Sequence, residues 1–150
     1  MKAALLTLMI SMVPVLELRA GIPFGVAGGL SIRTAVLFAI LGNILPIPFL
    51  VIFTKKVFSW LRTKSDRLNA MVLRLEAKAE KNKAIVLRYE FLGLMILVAI
   101  PLPGTGGWTG ALVAAMMDMP LKKSLPAIFM GIVIAAVIVA TMTYGVKVFV

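Results

Sequence analysis

Two uninterrupted apolar runs, residues 34–53 and residues 125–144, constrain the fold of this chain more than any other feature. Each has the roughly 20 residues that a helix needs to cross a bilayer core about 30 Å thick. Hydrophobic residues make up 61% of the 150-residue chain, compared with about 45–50% in soluble domains. The surplus lies in long runs and not in a periodic stripe, so the sequence predicts an all-α integral membrane protein.

Two shorter apolar stretches precede each long run, and proline and glycine separate the members of each pair. The interruptions are the first break (residues 14–23) and the second break (residues 101–110), and no helix sustains that density of proline and glycine. Each short stretch reaches about half of the bilayer core at 1.5 Å per residue, which places both breaks near the midplane. Open backbone at that depth is tolerated only where protein or a water-filled cavity surrounds it. The short stretches are residues 3–16, 22–30, 91–103 and 110–117.

The chain also contains an internal repeat, because the order of short stretch, break, short stretch and long run occurs twice. Repeats of this kind are a recurring design of secondary transporters. We divide the single membrane domain (1–150) into a first repeat (1–54), a charged helical linker (55–90) and a second repeat (91–150). A shift of 89 positions aligns the halves without a gap and pairs Pro14 with Pro103, Gly21 with Gly110, Gly42 with Gly131, Arg33 with Lys122 and Thr54 with Thr143.

Two topologies fit this pattern. If each broken pair re-enters the membrane, each half holds one full span and the repeat is inverted; if each pair crosses, the repeat is parallel. Both put twelve basic residues on the side of the linker and three on the other, so the positive-inside rule makes residues 55–90 cytoplasmic in either case. The lengths of the short stretches favour re-entry, because two facing hairpins can bury each other's breaks.

The net charge of +10 is concentrated in the linker, which carries ten basic and four acidic residues. Between apolar runs, such charge indicates a segment near anionic lipid headgroups and not a nucleic-acid partner. Apolar residues at spacings of three, four and seven predict a surface helix over residues 60–83, with a partner-binding coiled coil as the alternative. The first 20 residues imitate a secretory signal, but Glu17 and Arg19 at their end favour retention of this segment.

Glu17 and Arg19 are the charged residues inside the predicted membrane depth. Charge at that depth is costly and commonly marks a transport pathway. One interpretation is an ion pair that only locks the tip of the hairpin. We favour the other, a substrate or proton site in which Glu17 couples transport to protons.

The second break has the backbone of an anion site. Gly104, Gly106 and Gly107 can present successive N–H groups, and a helix beginning near Trp108 points its positive dipole end inward. The first break is expected to do the same with Gly21 and a helix opened by Pro23. Such a centre prefers phosphate or carboxylate. The candidate substrate-binding residues are Glu17, Arg19, Gly21, Pro23, Pro103, Gly104, Thr105, Gly106, Gly107, Trp108 and Thr109.

Outside the breaks, Pro46 and Pro48 predict a kink in the first long helix. Asn43 is a weaker candidate for a hydrogen bond between helices, and Asp118 for a cap. The chain has no cysteine and no histidine, which excludes thiol chemistry and the common zinc sites. Since the sequence also lacks a nucleophile–base pair, a phosphate-binding loop and a metal-ligand cluster, we expect neither enzymatic activity nor a cofactor nor a metal.

The two breaks carry recognisable motifs, Glu17-Leu-Arg with Gly21-Ile-Pro, and Pro101-Leu-Pro-Gly-Thr-Gly with Trp108-Thr-Gly. They resemble the small multidrug export protein family of bacteria and archaea, over essentially the whole chain. That family is distantly similar to the DedA membrane proteins, whose paired re-entrant hairpins carry acidic and arginine residues at their tips. The DedA proteins are implicated in moving lipid phosphates with the proton-motive force. Glu17 and Arg19 match that tip pattern, whereas the second break lacks a carboxylate.

These observations and the resemblance together predict a small transporter or lipid flippase for an anionic amphipathic substrate, such as a lipid phosphate, in a bacterial or archaeal cytoplasmic membrane. The headgroup would bind Arg19 and the glycine-rich helix ends, and Glu17 would couple transport to protons. The expected partners are membrane lipids and the substrate, without nucleic acid, and a homo-oligomer is compatible with the sequence. Two alternatives stay open. One is efflux of cationic drugs with Glu17 as counter-ion, and the other is a non-transporting membrane organiser that acts through the linker.

Overall fold

The fold is all-helical, as the sequence predicted. The computed structural model describes residues 1–102 and 104–145, with the side chains of residues 79 and 81–89 left out of the description. In this part of the chain there are eight α-helices: α1 (Lys2–Met12), α2 (Glu17–Ala27), α3 (Ile32–Ile44), α4 (Ile47–Arg62), α5 (Asp66–Tyr89), α6 (Phe91–Ala99), α7 (Gly107–Met116) and α8 (Leu121–Tyr144).

Two helical segments of the described chain are long and apolar enough to cross a membrane. They are Ile32–Arg62, which joins α3 and α4, and Leu121–Tyr144, which is α8; both have a mean hydropathy of 2.5. Only 28% and 44% of their most apolar stretches are buried inside the protein. Because the remaining apolar surface faces outward, these segments suit a lipid environment. They contain the two apolar runs that the sequence singled out.

The first of these segments is interrupted at its prolines. Helix α3 ends at Ile44 and α4 begins at Ile47, with Pro46 as its N-cap and Pro48 in its first turn. Proline lacks the N–H that a continuous helix needs, whereas a first turn has no use for that donor. The helix is therefore interrupted where the sequence predicted a kink. Helix α4 continues to Arg62, so the expected linker boundary at residue 55 falls inside this helix.

The linker helix differs from its predicted bounds. Residues 63–65 form a turn, and α5 starts at Asp66. The cause is Ser65, whose Oγ accepts a hydrogen bond from the Arg67 N–H and caps the new helix. Helix α5 also packs on α6, α4 and α7, and its Val72 is completely buried. The linker is therefore part of the packed structure and not only a surface helix.

Close helix contacts hold each half together. Helix α1 packs on α3 and α2, and α6 packs on α8. A Cβ at Gly42 would lie 2.2 Å from the Leu8 carbonyl oxygen of α1, and a Cβ at Gly131 would lie 2.7 Å from the Met95 carbonyl oxygen of α6. Only glycine permits these approaches, as is typical of helix contacts in membranes. The two glycines are one of the aligned pairs of the repeat.

Candidate functional site

The candidate site lies where two non-helical connections meet, the α1–α2 connection (residues 13–16) and the α6–α7 connection (described at residues 100–102 and 104–106). Trp108 links them twice. Its indole Nε1–H donates to the Met12 carbonyl oxygen at 3.1 Å, and its backbone N–H donates to Glu17 Oε1, also at 3.1 Å. The two predicted breaks, some 90 residues apart in the sequence, therefore contact each other directly.

Glu17 is the first residue of α2, and its carboxylate lies at the N-terminus of α7. Its side chain is buried, since the residue is only 4% exposed. The free N–H groups and the positive dipole end of a helix N-terminus stabilise a carboxylate. Gly106, with φ at +126°, makes room for it, because a Cβ there would lie 2.1 Å from Glu17 Oε2. The anion position that the sequence predicted for a substrate therefore holds the protein's own carboxylate.

Arg19 binds the α6–α7 connection. Its Nη2 donates to the Thr105 carbonyl oxygen at 3.0 Å, to Thr105 Oγ1 at 3.2 Å and to the Ile100 carbonyl oxygen at 3.4 Å. Arg19 makes no other hydrogen bond to the described residues. Its remaining guanidinium donors therefore have no protein partner among them. Among the ion pairs of the described residues there is none between Glu17 and Arg19. In place of an ion pair between Glu17 and Arg19 that would only lock the hairpin tip, each of the two residues contacts the other half of the chain, Glu17 at Trp108 and Arg19 at Thr105.

The α6–α7 connection is braced by its own hydroxyl groups. Thr105 Oγ1 donates within the connection, to the Ile100 or the Leu102 carbonyl oxygen, and Thr109 Oγ1 donates to the Gly104 carbonyl oxygen at 2.9 Å. Lys78 of α5 lies over this segment, since a Cβ at Gly104 would be 3.1 Å from its Nζ. Arg19 and Lys78 therefore contact neighbouring residues of the same connection.

A cavity of about 670 Å³ opens beside the two connections, within the range of about 300–1,000 Å³ typical of small-molecule sites. Its charged lining residues are Glu17, Arg19 and Lys78, and most of the remaining wall is apolar. Helix α4 supplies much of that wall. The lining residues that the sequence had proposed are Glu17, Arg19, Gly104, Thr105, Trp108 and Thr109, and the unpredicted ones include Leu45, Phe49, Leu50, Phe53, Phe58, Leu75 and Lys78.

Other predicted residues do not line the cavity. Gly21 faces α1, where a Cβ would lie 1.9 Å from Ser11 Oγ. The expectation that Pro23 opens a helix is wrong, because α2 already begins at Glu17 and Pro23 lies inside it. Gly106 lies against the carboxylate of Glu17, and Gly107 faces the protein interior. Pro103 lies outside the described residues.

Asn43, which the sequence offered only as a weaker candidate, lies beside the candidate site. It lies in the last turn of α3, is completely buried, and neither amide atom has a hydrogen-bond partner. Its side chain faces the Glu17 carboxylate, and a Cβ at Gly107 would lie 3.1 Å from its Oδ1. The Asn43 side chain faces α2, as the predicted hydrogen bond between helices requires, although its amide atoms lie outside ordinary hydrogen-bond geometry. The other weak candidate, Asp118, follows α7 with φ at +55° and pairs with Lys55 on the surface.

Comparisons with known proteins place the chain in a family. No curated protein and no solved structure matches it. The model of the family described as "Putative small multi-drug export protein" matches residues 17–138. The matched range begins at Glu17 and includes Arg19, Asn43, Lys78 and Trp108, the polar residues around which the site is built. The chain therefore belongs to the small multi-drug export protein family.

Proposed function

We propose that this protein is a membrane transporter or lipid flippase whose cavity binds an anionic amphipathic substrate, such as a lipid phosphate. The family description supports export as the general activity. One observation carries the choice of an anion. Two cationic side chains, Arg19 and Lys78, contact adjacent residues of the α6–α7 connection at the edge of an otherwise apolar cavity.

The charges of the cavity favour a negative headgroup. Glu17 is the acidic lining residue, and its carboxylate is already held by the Trp108 N–H. The remaining donors of Arg19 suit two oxygens of a phosphate, and Lys78 adds a point charge. Phe49 and Phe53, whose ring centroids are 6.5 Å apart, supply an apolar surface for a hydrocarbon chain. Headgroup and chain would then bind at different parts of one cavity.

The proposed topology is re-entrant. Helices α1 and α2 have 11 residues each, α6 has 9 and α7 has 10, so each reaches roughly half of a bilayer core. The contact between their connections supplies the protein environment that open backbone needs at the midplane. In this arrangement the repeat is inverted, both termini lie outside, and residues 55–90 lie on the cytoplasmic side of a bacterial or archaeal membrane.

Transport by Arg19 variants tests this function. The assay is the movement of a fluorescently labelled phosphatidic acid across proteoliposomes, followed by quenching of the outer leaflet. Because a charge-assisted hydrogen bond contributes about 1.5–3 kcal/mol, Arg19→Gln should lower the rate roughly ten- to a hundredfold. Arg33→Gln is the matched control, since Arg33 is exposed at the start of α3. Equal rates in both variants would contradict an anion site at Arg19.

A second candidate function is the efflux of lipophilic cations. The observation that favours it is a carboxylate, Glu17, in a cavity walled by aromatic rings, a combination that binds cationic ligands. The same proteoliposomes separate the candidates. A cation carrier should keep or gain activity toward a lipophilic cation in Arg19→Gln and lose it in Glu17→Gln. An anion carrier should show no protein-dependent flux of that cation.

A further inference from the structure

A second, smaller cavity adjoins the one described above. This outer cavity has a volume of about 310 Å³ and lies at the linker end of α4, where Glu76 of α5 and Met116 at the end of α7 complete its wall. It has two lining residues, Thr54 and Phe58 of α4, in common with the larger, inner cavity. The two cavities therefore share a wall at these side chains, and a ligand that passes Phe58 moves from one to the other.

Helix α4 turns a different face to each cavity. An apolar stripe with a spacing of four residues lines the inner cavity alone, namely Phe49, Phe53 and Val57. A polar stripe with spacings of four and three residues lines the outer cavity alone, namely Lys55, Ser59 and Arg62. With 3.6 residues per turn, Thr54 and Phe58 lie between the two stripes on the helix surface. The sequence of α4 thus makes the outer cavity polar and the inner one apolar.

The outer cavity contains two cations whose carboxylate partners are replaceable. Lys55 pairs with Asp118, which follows α7, and Arg62 pairs with Glu76. The side chains of Lys55 and Arg62 are 52% and 43% exposed. Ion pairs exposed to this extent contribute little to stability, because water screens them. An incoming anion can therefore take the place of either carboxylate, and the guanidinium group offers two parallel donors to a phosphate or a sulfate.

We propose that the outer cavity is the entry site for the anionic headgroup, where Lys55 and Arg62 bind it before it passes Phe58 into the inner cavity. The inference rests on the proposed function and deepens it. The outer cavity lies at the linker end of α4, which is the cytoplasmic side in the proposed topology. The headgroup therefore enters from the cytoplasmic leaflet and moves from two exposed cations to Arg19 and Lys78. Its hydrocarbon chain meanwhile lies along the apolar stripe of α4.

An entry site has a kinetic signature that a structural role lacks. Exposed charges at the rim of a site act mainly on the association rate, whereas a more deeply buried partner acts mainly on the dissociation rate. A charged cleft raises association rates by about 10–10³-fold at low ionic strength, and salt removes this effect. Lys55 and Arg62 should therefore control how fast an anion binds, and Arg19 how slowly it leaves.

The test is the association rate of decyl sulfate with the full-length protein in nanodiscs of zwitterionic lipid, measured by stopped-flow fluorescence. The chain has two tryptophans, so a Trp60→Phe background leaves Trp108, on the wall of the inner cavity, as the reporter. At low ionic strength, Lys55→Gln with Arg62→Gln should slow association by about tenfold. The dissociation rate should stay within about twofold. The difference in association should disappear at about 1 M salt, where the Debye length is about 3 Å.

Two further variants should act in the opposite direction. Glu76→Gln removes the acidic residue of the outer cavity and frees Arg62, so association at low ionic strength should become faster, by up to about fivefold. Phe58→Ala widens the passage at the shared wall and should speed association at any salt concentration. The matched control is Lys56→Gln with Arg67→Gln. It removes the same charge from exposed positions that line neither cavity, and it should keep the parent rate.

The outcomes separate this inference from the proposed function. An association rate unchanged by Lys55→Gln with Arg62→Gln, or slowed as much by the control, would overturn the entry site, because the ligand would then reach the inner cavity directly from the lipid. Slower association in Glu76→Gln, or an unchanged rate in Phe58→Ala, would also overturn this route. All these results leave the anion site intact if Arg19→Gln still speeds dissociation. If Arg19→Gln binds decyl sulfate as tightly as its parent, the proposed function fails instead.

Discussion

Replacing Gly106 with alanine should displace Glu17 from the N-terminus of α7. The new Cβ would lie 2.1 Å from Oε2 and 2.8 Å from the carboxylate carbon of Glu17, and the flexible carboxylate is the group that can move. The loss of its charge-assisted bond to the Trp108 N–H costs about 1.5–3 kcal/mol. A non-glycine residue at φ +126° adds about 1–3 kcal/mol. We therefore expect a free energy of unfolding lower by about 2.5–6 kcal/mol.

A matched substitution and a double mutant separate the two causes. Gly29→Ala also places alanine at positive φ, +90°, but nothing lies within 4 Å of its Cβ, so this variant carries the backbone strain alone. The free energy of unfolding of both variants is measured in mixed micelles of dodecyl maltoside and dodecyl sulfate. Once Gly106→Ala has displaced the carboxylate, adding Glu17→Ala should cost little more, so the two changes should be non-additive by about 1.5–3 kcal/mol. Additive effects, with Gly106→Ala as mild as Gly29→Ala, would refute the contact between Glu17 and α7.

Further predictions concern topology, packing and the cavity. Single cysteines at Lys2 and Lys64 should label from opposite sides of intact cells if the hairpins re-enter, and labelling of both from the cytoplasm would favour crossing hairpins. Gly42→Ala should lower the thermal stability in detergent, by about 1–3 kcal/mol in free energy, because its Cβ meets the carbonyl oxygen of Leu8; unchanged stability would mean that α1 and α3 are not in close contact. Lys78→Met should weaken decyl sulfate binding by up to about fivefold, and no change would remove α5 from the site.

The helical spans and the interruption at Pro46 could be predicted because they depend on local sequence. A run of some 20 apolar residues is helical in lipid whatever surrounds it, and Pro46 limits the helix through its own missing N–H. The start of α2 could not be predicted in this way. Pro23 has the local preference of a first-turn residue, but the helix begins six residues earlier, at Glu17, whose side chain has a tertiary partner.

The sequence singled out the charged residues of the candidate site but not their partners. The cost of intramembrane charge identified Glu17 and Arg19. Their partners are the backbone N–H of Trp108 and the carbonyl oxygen of Thr105, and backbone groups carry no residue-specific signal. Lys78 is one of ten basic residues in the linker, and only the packing of α5 distinguishes it from the others. Asn43 becomes informative only once its buried side chain is seen to face Glu17.

The sign of the ligand charge is the most direct test of an anion-binding cavity between the two connections. The Trp60→Phe protein in nanodiscs is titrated with decyl sulfate and with decyltrimethylammonium, two amphiphiles with the same chain and opposite charge, while Trp108 reports binding. We predict that decyl sulfate binds at least about tenfold more tightly and that Arg19→Gln removes the difference, as expected for one charge-assisted contact. Equal affinities, or tighter binding of decyltrimethylammonium, would contradict the anion site.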